Sequence, residues 1–313
     1  ILKGEFEKAK EVMSRFNSEK DTEEVIAQMI EKNNNSEVKK EGKISDLFKP
    51  AMRLVLTIGI VLAVLQQITG INSVFFYAPM IFEQSGIGTD ASFMQAILVG
   101  IVNLVFTLLA MYFIDKLGRK PLLSVGVAGI ALSMFLLAFE FNSATYQLTP
   151  EKMNQLSSKM EIGALESLNN ITYESESEFK VALIDNLGKE EFEANKEVLL
   201  KTAVSMNSML ILFAILGFVA SFAFSIGPVM WVLFSELFPN YIRGIAISFV
   251  GLINSGVSFI VQWVFPWELE VLGSDVTFLI YGIFAAVGFV FILKVIPETK
   301  GKSLEEIEAQ LVK

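Results

Sequence analysis

At 313 residues, 53% of them hydrophobic and 27 of them phenylalanine, with a mean hydropathy of +0.53, the chain carries more apolar surface than a soluble domain buries. It contains no histidine and no cysteine, which excludes thiol nucleophiles, disulfides, imidazole acid–base chemistry and the usual zinc sites. The formal charge of −9 argues against nucleic acid as a partner.

Residues 1–50 are soluble in character. Leu2, Phe6, Ala9, Met13 and Phe16 recur at helical spacing among lysines and glutamates, and Thr22 to Ile30 predicts a second short helix. The tract EKNNNSEVKKEGK reads as a flexible link. Because the chain starts at Ile1 within a helical pattern, it is expected to be a fragment of a longer protein.

Six uncharged runs follow, at 54–82, 91–114, 121–139, 202–235, 244–267 and 276–293, each long enough to span a bilayer. None contains Asp or Glu. Lys116, Arg119, Lys120, Arg243, Lys294, Lys300 and Lys302 fall on one side of these runs. The short loops opposite carry Glu83, Asp90, Glu268, Glu270 and Asp275 instead. The positive-inside rule makes the basic side cytoplasmic, and six spans put both ends of the chain there.

The first run is not uniformly greasy. Gln66, Gln67, Thr69, Asn72 and Ser73 stand in its middle, where an unpaired polar group costs several kcal/mol. Gly70 permits a bend, and Pro79 removes a backbone donor further along. Counting at ~1.5 Å per residue puts Asn103 and Asn254 near the depth of Gln66 and Gln67, so amides from three spans are expected to converge at midplane. In the fourth run, Gly227-Pro228 interrupts a helix and supplies a hinge, and Trp231 offers a broad face suited to a pyranose. The plainer readings are that these amides glue helices together and that Trp231 marks the membrane interface.

Residues 140–201 form one long outer segment in which glutamates far outnumber the six lysines. Thr149-Pro150-Glu151 resembles a helix start, and Met153, Leu156, Met160, Ala164 and Leu168 offer an apolar face. A solvated, partly helical insertion is expected.

Several motifs carry a family resemblance: QQITGIN at Gln66 to Asn72, DKLGRK at Asp115 to Lys120, FAFSIGPVMW at Phe222 to Trp231, ELFPNYIRG at Glu236 to Gly244, and PETKGKSLEEIE from Pro297. Together they resemble the sugar porters of the major facilitator superfamily. The resemblance implies an all-α membrane protein, with six transmembrane helices forming the C-terminal half of that fold, preceded by cytoplasmic helices. The expected division is a linker domain at 1–50, transmembrane helices seven to nine at 51–139, the acidic insertion at 140–201, helices ten to twelve at 202–296, and a cytoplasmic tail at 297–313. By resemblance the substrate site is lined by Gln66, Gln67, Asn72, Asn103, Phe222, Gly227, Trp231 and Asn254. Tyr77 becomes an outer-gate residue, while Arg119, Glu236 and Arg243 become an inner charge network. Two positions depart from the family pattern, Phe76 for a tyrosine and Ser255 for a tryptophan.

The implied function is transport of a xylose- or glucose-like monosaccharide across the cell membrane by alternating access, without enzymatic chemistry or a cofactor. The implied partners are the sugar, protons, the lipid bilayer and an N-terminal half of the same protein, which would hold the coupling residues. The alternative is a sugar sensor on the same fold that binds without translocating.

Overall fold

The computed structural model describes residues 42–84 and 89–311. The helices expected over residues 2–16 and 22–30 lie outside the described residues. Among those described, six helical stretches are long and apolar enough to cross a membrane: Pro50–Gln84, Ser92–Leu117, Arg119–Asn142, Ser208–Leu237, Arg243–Val271 and Ser274–Val295.

Two 3-10 turns, Ile44–Phe48 and Pro50–Met52, lead into helix α1 (Arg53–Ile68). Its continuation, α2 (Ile71–Gln84), starts after a break at Thr69-Gly70. Gly70 has φ +85, a left-handed conformation that other residues rarely adopt. A side chain there would also run into the ring of Tyr281, so glycine is required twice over. Helices α3 (Thr89–Leu117) and α4 (Arg119–Asn142) complete the first three spans.

The segment at 140–201 folds into more than a partly helical insertion. Strand β1 (Thr145–Gln147) is the centre of a three-stranded antiparallel sheet, flanked by β2 (Thr172–Tyr173) and β3 (Val204–Ser205). Tyr146 sits opposite both Tyr173 and Val204. Helices α6 (Glu176–Leu187) and α7 (Lys189–Ala203) pack against this sheet, and α5 (Pro150–Ser157) packs on α7. Thr149 caps α5 by accepting from the Lys152 backbone N–H, as its sequence signature predicts. The unit has its own core of Leu148, Leu156, Leu165, Phe179, Leu183 and Leu199, all fully buried, with Tyr146 stacked on Phe179 at 5.6 Å. Sequence periodicity missed this core because each of several elements contributes only one to three residues to it. Of the face expected from Met153 to Leu168, Met153, Leu156 and Leu168 are buried, whereas α5 ends at Ser157 and Ala164 is exposed.

The second set of spans repeats the plan of the first. It opens on a broken helix, α8 (Ser208–Phe224) then α9 (Ile226–Leu237), followed by α10 (Arg243–Val271) and α11 (Ser274–Val295). The break falls at Ser225, two residues before the predicted hinge. Gly227-Pro228 instead occupies the first turn of α9, where a proline has no helical N–H to forfeit. Two three-span units, each led by a broken helix, match the internal repeats common in transporters. A short amphipathic helix, α12 (Leu304–Leu311), follows and packs on α9.

Helix α4 is the centre of packing, with α11 on one side and α8 on the other. Gly126 and Gly129 of α4 face Ser225 and Ser221 so closely that no Cβ would fit, the small-on-small contact that lets membrane helices approach. Phe82, Phe218, Phe234, Phe238, Phe265 and Phe278 are completely buried in this core. Helices α3 and α10 differ sharply from the rest, since only 17% of the apolar window of each is buried. Helix α10 also runs past the expected end of its span and carries Glu268 within it.

Candidate functional site

The break between α1 and α2 gathers the amides. Gln66 and Gln67 end α1 and Asn72 opens α2. Asn254 comes from α10, and the four side chains form one hydrogen-bonded set. Gln67 Nε2 donates to Asn254 Oδ1 and to Gln66 Oε1, both at 3.1 Å. Asn254 Nδ2 donates to Gln66 Oε1 and to the Ala63 carbonyl, both at 2.9 Å. Asn72 Nδ2 donates to Gln67 Oε1 at 2.7 Å and to Ser258 Oγ at 2.8 Å. Gln66 Nε2 reaches the first-turn carbonyls of α9, Ile226 O at 3.2 Å and Gly227 O at 3.3 Å. The set thus ties both broken helices to α10.

Gln66, Gln67 and Asn254 are buried and Asn72 is half-buried. An amide in such a layer needs partners, and here each supplies them to the others. Gln262 extends the track outward, donating to Ser258 Oγ at 2.9 Å. Ser258 and Gln262 were missed as members, although they follow Asn254 at i+4 and i+8 and so share its helix face.

Asn103 is not brought into this set. It is half-buried on α3, which packs chiefly on α8 and α2, and its carbonyl accepts from Thr107 Oγ1. A position counted along the helix does not fix which way its side chain faces.

Aromatic side chains flank the amides. Trp231 is 42% exposed, packs edge-on against Phe234 at 5.8 Å, and lies beside Gly251 of α10, one turn inward from Asn254. Phe222 is half-buried, with its ring against Gly227. Tyr77 contacts Phe265 at 5.2 Å, and Phe265 stacks on Tyr281 at 6.2 Å, whose hydroxyl donates to Glu268 at 2.8 Å. Phe76 projects outward at 68% exposed, and Ser255 is exposed.

At the basic end, Arg119 and Glu236 pair at 2.7 Å, with their side chains only 12% and 18% exposed. Asp115 also pairs with Arg119, and Thr299 Oγ1 donates to the other Glu236 oxygen at 2.7 Å. Glu298 accepts from the backbone N–H groups of Arg119 and Lys120, both at 3.1 Å, which caps the start of α4 with a carboxylate. Arg243 is not bonded to Glu236; its Nε donates to the Phe238 carbonyl at 3.0 Å. The tail motif therefore contributes Glu298 and Thr299 to a cluster in which the family resemblance placed Arg243.

The comparisons with known proteins agree with this architecture. The profile described as "Sugar (and other) transporter" matches residues 1–163 and 194–311. A D-xylose-proton symporter of Escherichia coli (strain K12) is 33% identical over 261 residues, covering 82% of this chain and 41% of the relative. An arabinose-proton symporter of Bacillus subtilis (strain 168) is 29% identical over 310 residues, covering 99% of this chain and 53% of the relative. The solved structure of the major facilitator proton:xylose symporter XylE bound to 6-bromo-6-deoxy-D-glucose superposes with a TM-score of 0.64 at 29% identity, covering 99% of this chain and 52% of that one. The chain thus spans about half the length of the relatives it matches. It is a helical membrane protein with a XylE-like fold, and it belongs to the sugar (and other) transporter family.

Proposed function

We propose that the chain is the C-terminal six-helix half of a monosaccharide transporter, and that it supplies one wall of a central sugar site worked by alternating access. The observation that carries this reading is the amide set at the α1–α2 break, which joins α10 and α9 in the middle of an apolar bundle. Four amides that already exchange donors and acceptors offer sugar hydroxyls bonds of equal kind, so a ligand replaces one pairing by another. Gln66, Gln67, Asn72 and Asn254 are the polar contacts in this reading, with Asn103 joining from α3. Trp231 and Phe222 provide apolar faces, and Gly227 lets the backbone of α9 come close.

The barely packed helices α3 and α10 are the faces a second half would cover. Beyond Gly70, α2 carries Tyr77 and forms the outer gate. On the basic side, assigned to the cytoplasm by its charge excess, the Arg119–Glu236 pair holds the inner gate with Arg243 beside it. In this reading the pair forms when the inner side closes and parts when it opens. Two relatives are named as sugar-proton symporters, which supports proton coupling through a carboxylate in the other half. In this reading the protein lies in the cell membrane with residues 1–50 and the tail inside.

Uptake of radiolabelled xylose and glucose into proteoliposomes holding the full-length protein, with and without a proton gradient, tests this function. Saturable uptake driven by the gradient is expected. Saturable uptake indifferent to the gradient would overturn symport, and uptake no faster than in empty vesicles would overturn transport.

A further inference from the structure

An ion pair between Lys201 and Glu83 fastens the outer domain to the gate helix. Lys201, in the last turn of α7, places Nζ 2.8 Å from Glu83 Oε2, in the last turn of α2. The two side chains are 30% and 24% exposed, so the pair is largely shielded from water. A carboxylate at the C-terminal end of a helix stands against the negative end of the helix dipole, and the Lys201 ammonium compensates it.

Lys201 is itself held firmly. Lys152 Nζ donates to the Ala203 and Val204 carbonyls at 2.8 and 3.0 Å, closing the end of α7 onto α5. Burial depresses the pKa of Lys152, and two carbonyl acceptors give its ammonium a place in the fold. The next residues enter β3, and Asn207 N donates to Glu140 Oε1 at 2.6 Å, anchoring the domain on α4. At the far side of α2, Ser274 Oγ donates to Gln84 Oε1 at 3.0 Å. The outer end of α2 is therefore clasped between the domain and α11, while its inner end is the glycine break.

We infer that Lys201 is a positioning residue for the outer gate: its pair with Glu83 couples the extracytoplasmic domain to α2 and biases where that helix rests. Only the word gate rests on the transport reading; the hold on α2 is a property of the fold. A pair of this exposure shifts an equilibrium by about fivefold, enough to tune a gate and not enough to lock it.

The test uses the full-length protein on a cysteine-free background, with spin labels at Ser157→Cys in the outer domain and Met80→Cys on α2. In the parent protein the distance distribution is expected to be narrow. Lys201→Glu should broaden it, and the exchanged pair Lys201→Glu with Glu83→Lys should narrow it again. Lys201→Gln is the milder variant should the reversal fail to fold, and it should lower sugar turnover about fivefold with little change in KM. Unchanged distances in Lys201→Gln, or an exchanged pair that folds and melts like the parent yet stays broad, would overturn the inference. Restored distances in a protein that takes up no sugar would leave the tie standing and remove the transport reading.

Discussion

Gln67 Nε2 stands 3.1 Å from Asn254 Oδ1, and that one hydrogen bond joins the end of α1 to the middle of α10. Around it Gln66, Gln67 and Asn254 each donate and accept, and Asn72 donates to Gln67 and Ser258. The arrangement explains how four strongly polar side chains are tolerated at the centre of an apolar bundle, and why they sit where a helix breaks. A continuous α1–α2 helix would turn Gln67 and Asn72 to different faces, whereas the kink at Gly70 brings them within 2.7 Å.

Asn254→Ala should destabilise the bundle by roughly 1–3 kcal/mol, because Gln66 Oε1, Gln67 Nε2 and the Ala63 carbonyl each lose a partner. Asn103→Ala, outside the set, should leave thermal melting in detergent close to wild type. Equal melting shifts for the two would mean that the amide set contributes nothing particular to stability.

Gly70→Ala should cost about 1–3 kcal/mol, from the left-handed backbone together with the collision with Tyr281. Tyr281→Ala is costly in itself, because it empties a buried site and removes the bond to Glu268, so the collision is read from a double-mutant cycle: Gly70→Ala should cost less in the Tyr281→Ala background than in the parent. Denaturant unfolding of the parent, both single variants and the double variant checks this; an equal cost in the two backgrounds would show that Tyr281 is not the obstacle.

Arg119→Gln removes a guanidinium paired with two carboxylates at 12% exposure, and it should cost roughly 3 kcal/mol or more by stranding Glu236. Arg243→Gln loses one bond to a backbone carbonyl and should cost about 1 kcal/mol. Melting curves that rank the two the other way would contradict the network described.

Much of this was legible in the residues. Six apolar runs, the charge asymmetry of the loops and the motif spacing gave the spans and the family. The break at Gly70 followed from a glycine set among polar side chains. What could not be read was orientation about the helix axis. Asn103 belongs to another packing face, and Arg243 lies near Glu236 in sequence but turns to the chain that precedes it. Gln262, two turns beyond Asn254 on α10, shares the Ser258 hydroxyl with Asn72. The core of the 140–207 region was hidden for a different reason, because each of its elements gives only one to three residues to a common interior.

Phe179 is fully buried at the centre of that outer core, stacked under Tyr146. Phe179→Ala should destabilise the outer domain by about 3–5 kcal/mol while the membrane bundle stays folded. Limited proteolysis of the full-length protein should then cut first between residues 143 and 207. Resistance equal to wild type would mean that this segment does not depend on its own core.

The central claim is that the amide set is a sugar site, and calorimetric titration of xylose or glucose into the full-length protein and its Gln67→Ala variant tests it most directly. The account predicts a loss of affinity of roughly 1–3 kcal/mol, about five- to 150-fold, with the variant still extracted in normal yield. Equal affinity in the two proteins would remove Gln67 from the site and leave the amides as the bonds that hold α1, α9 and α10 together.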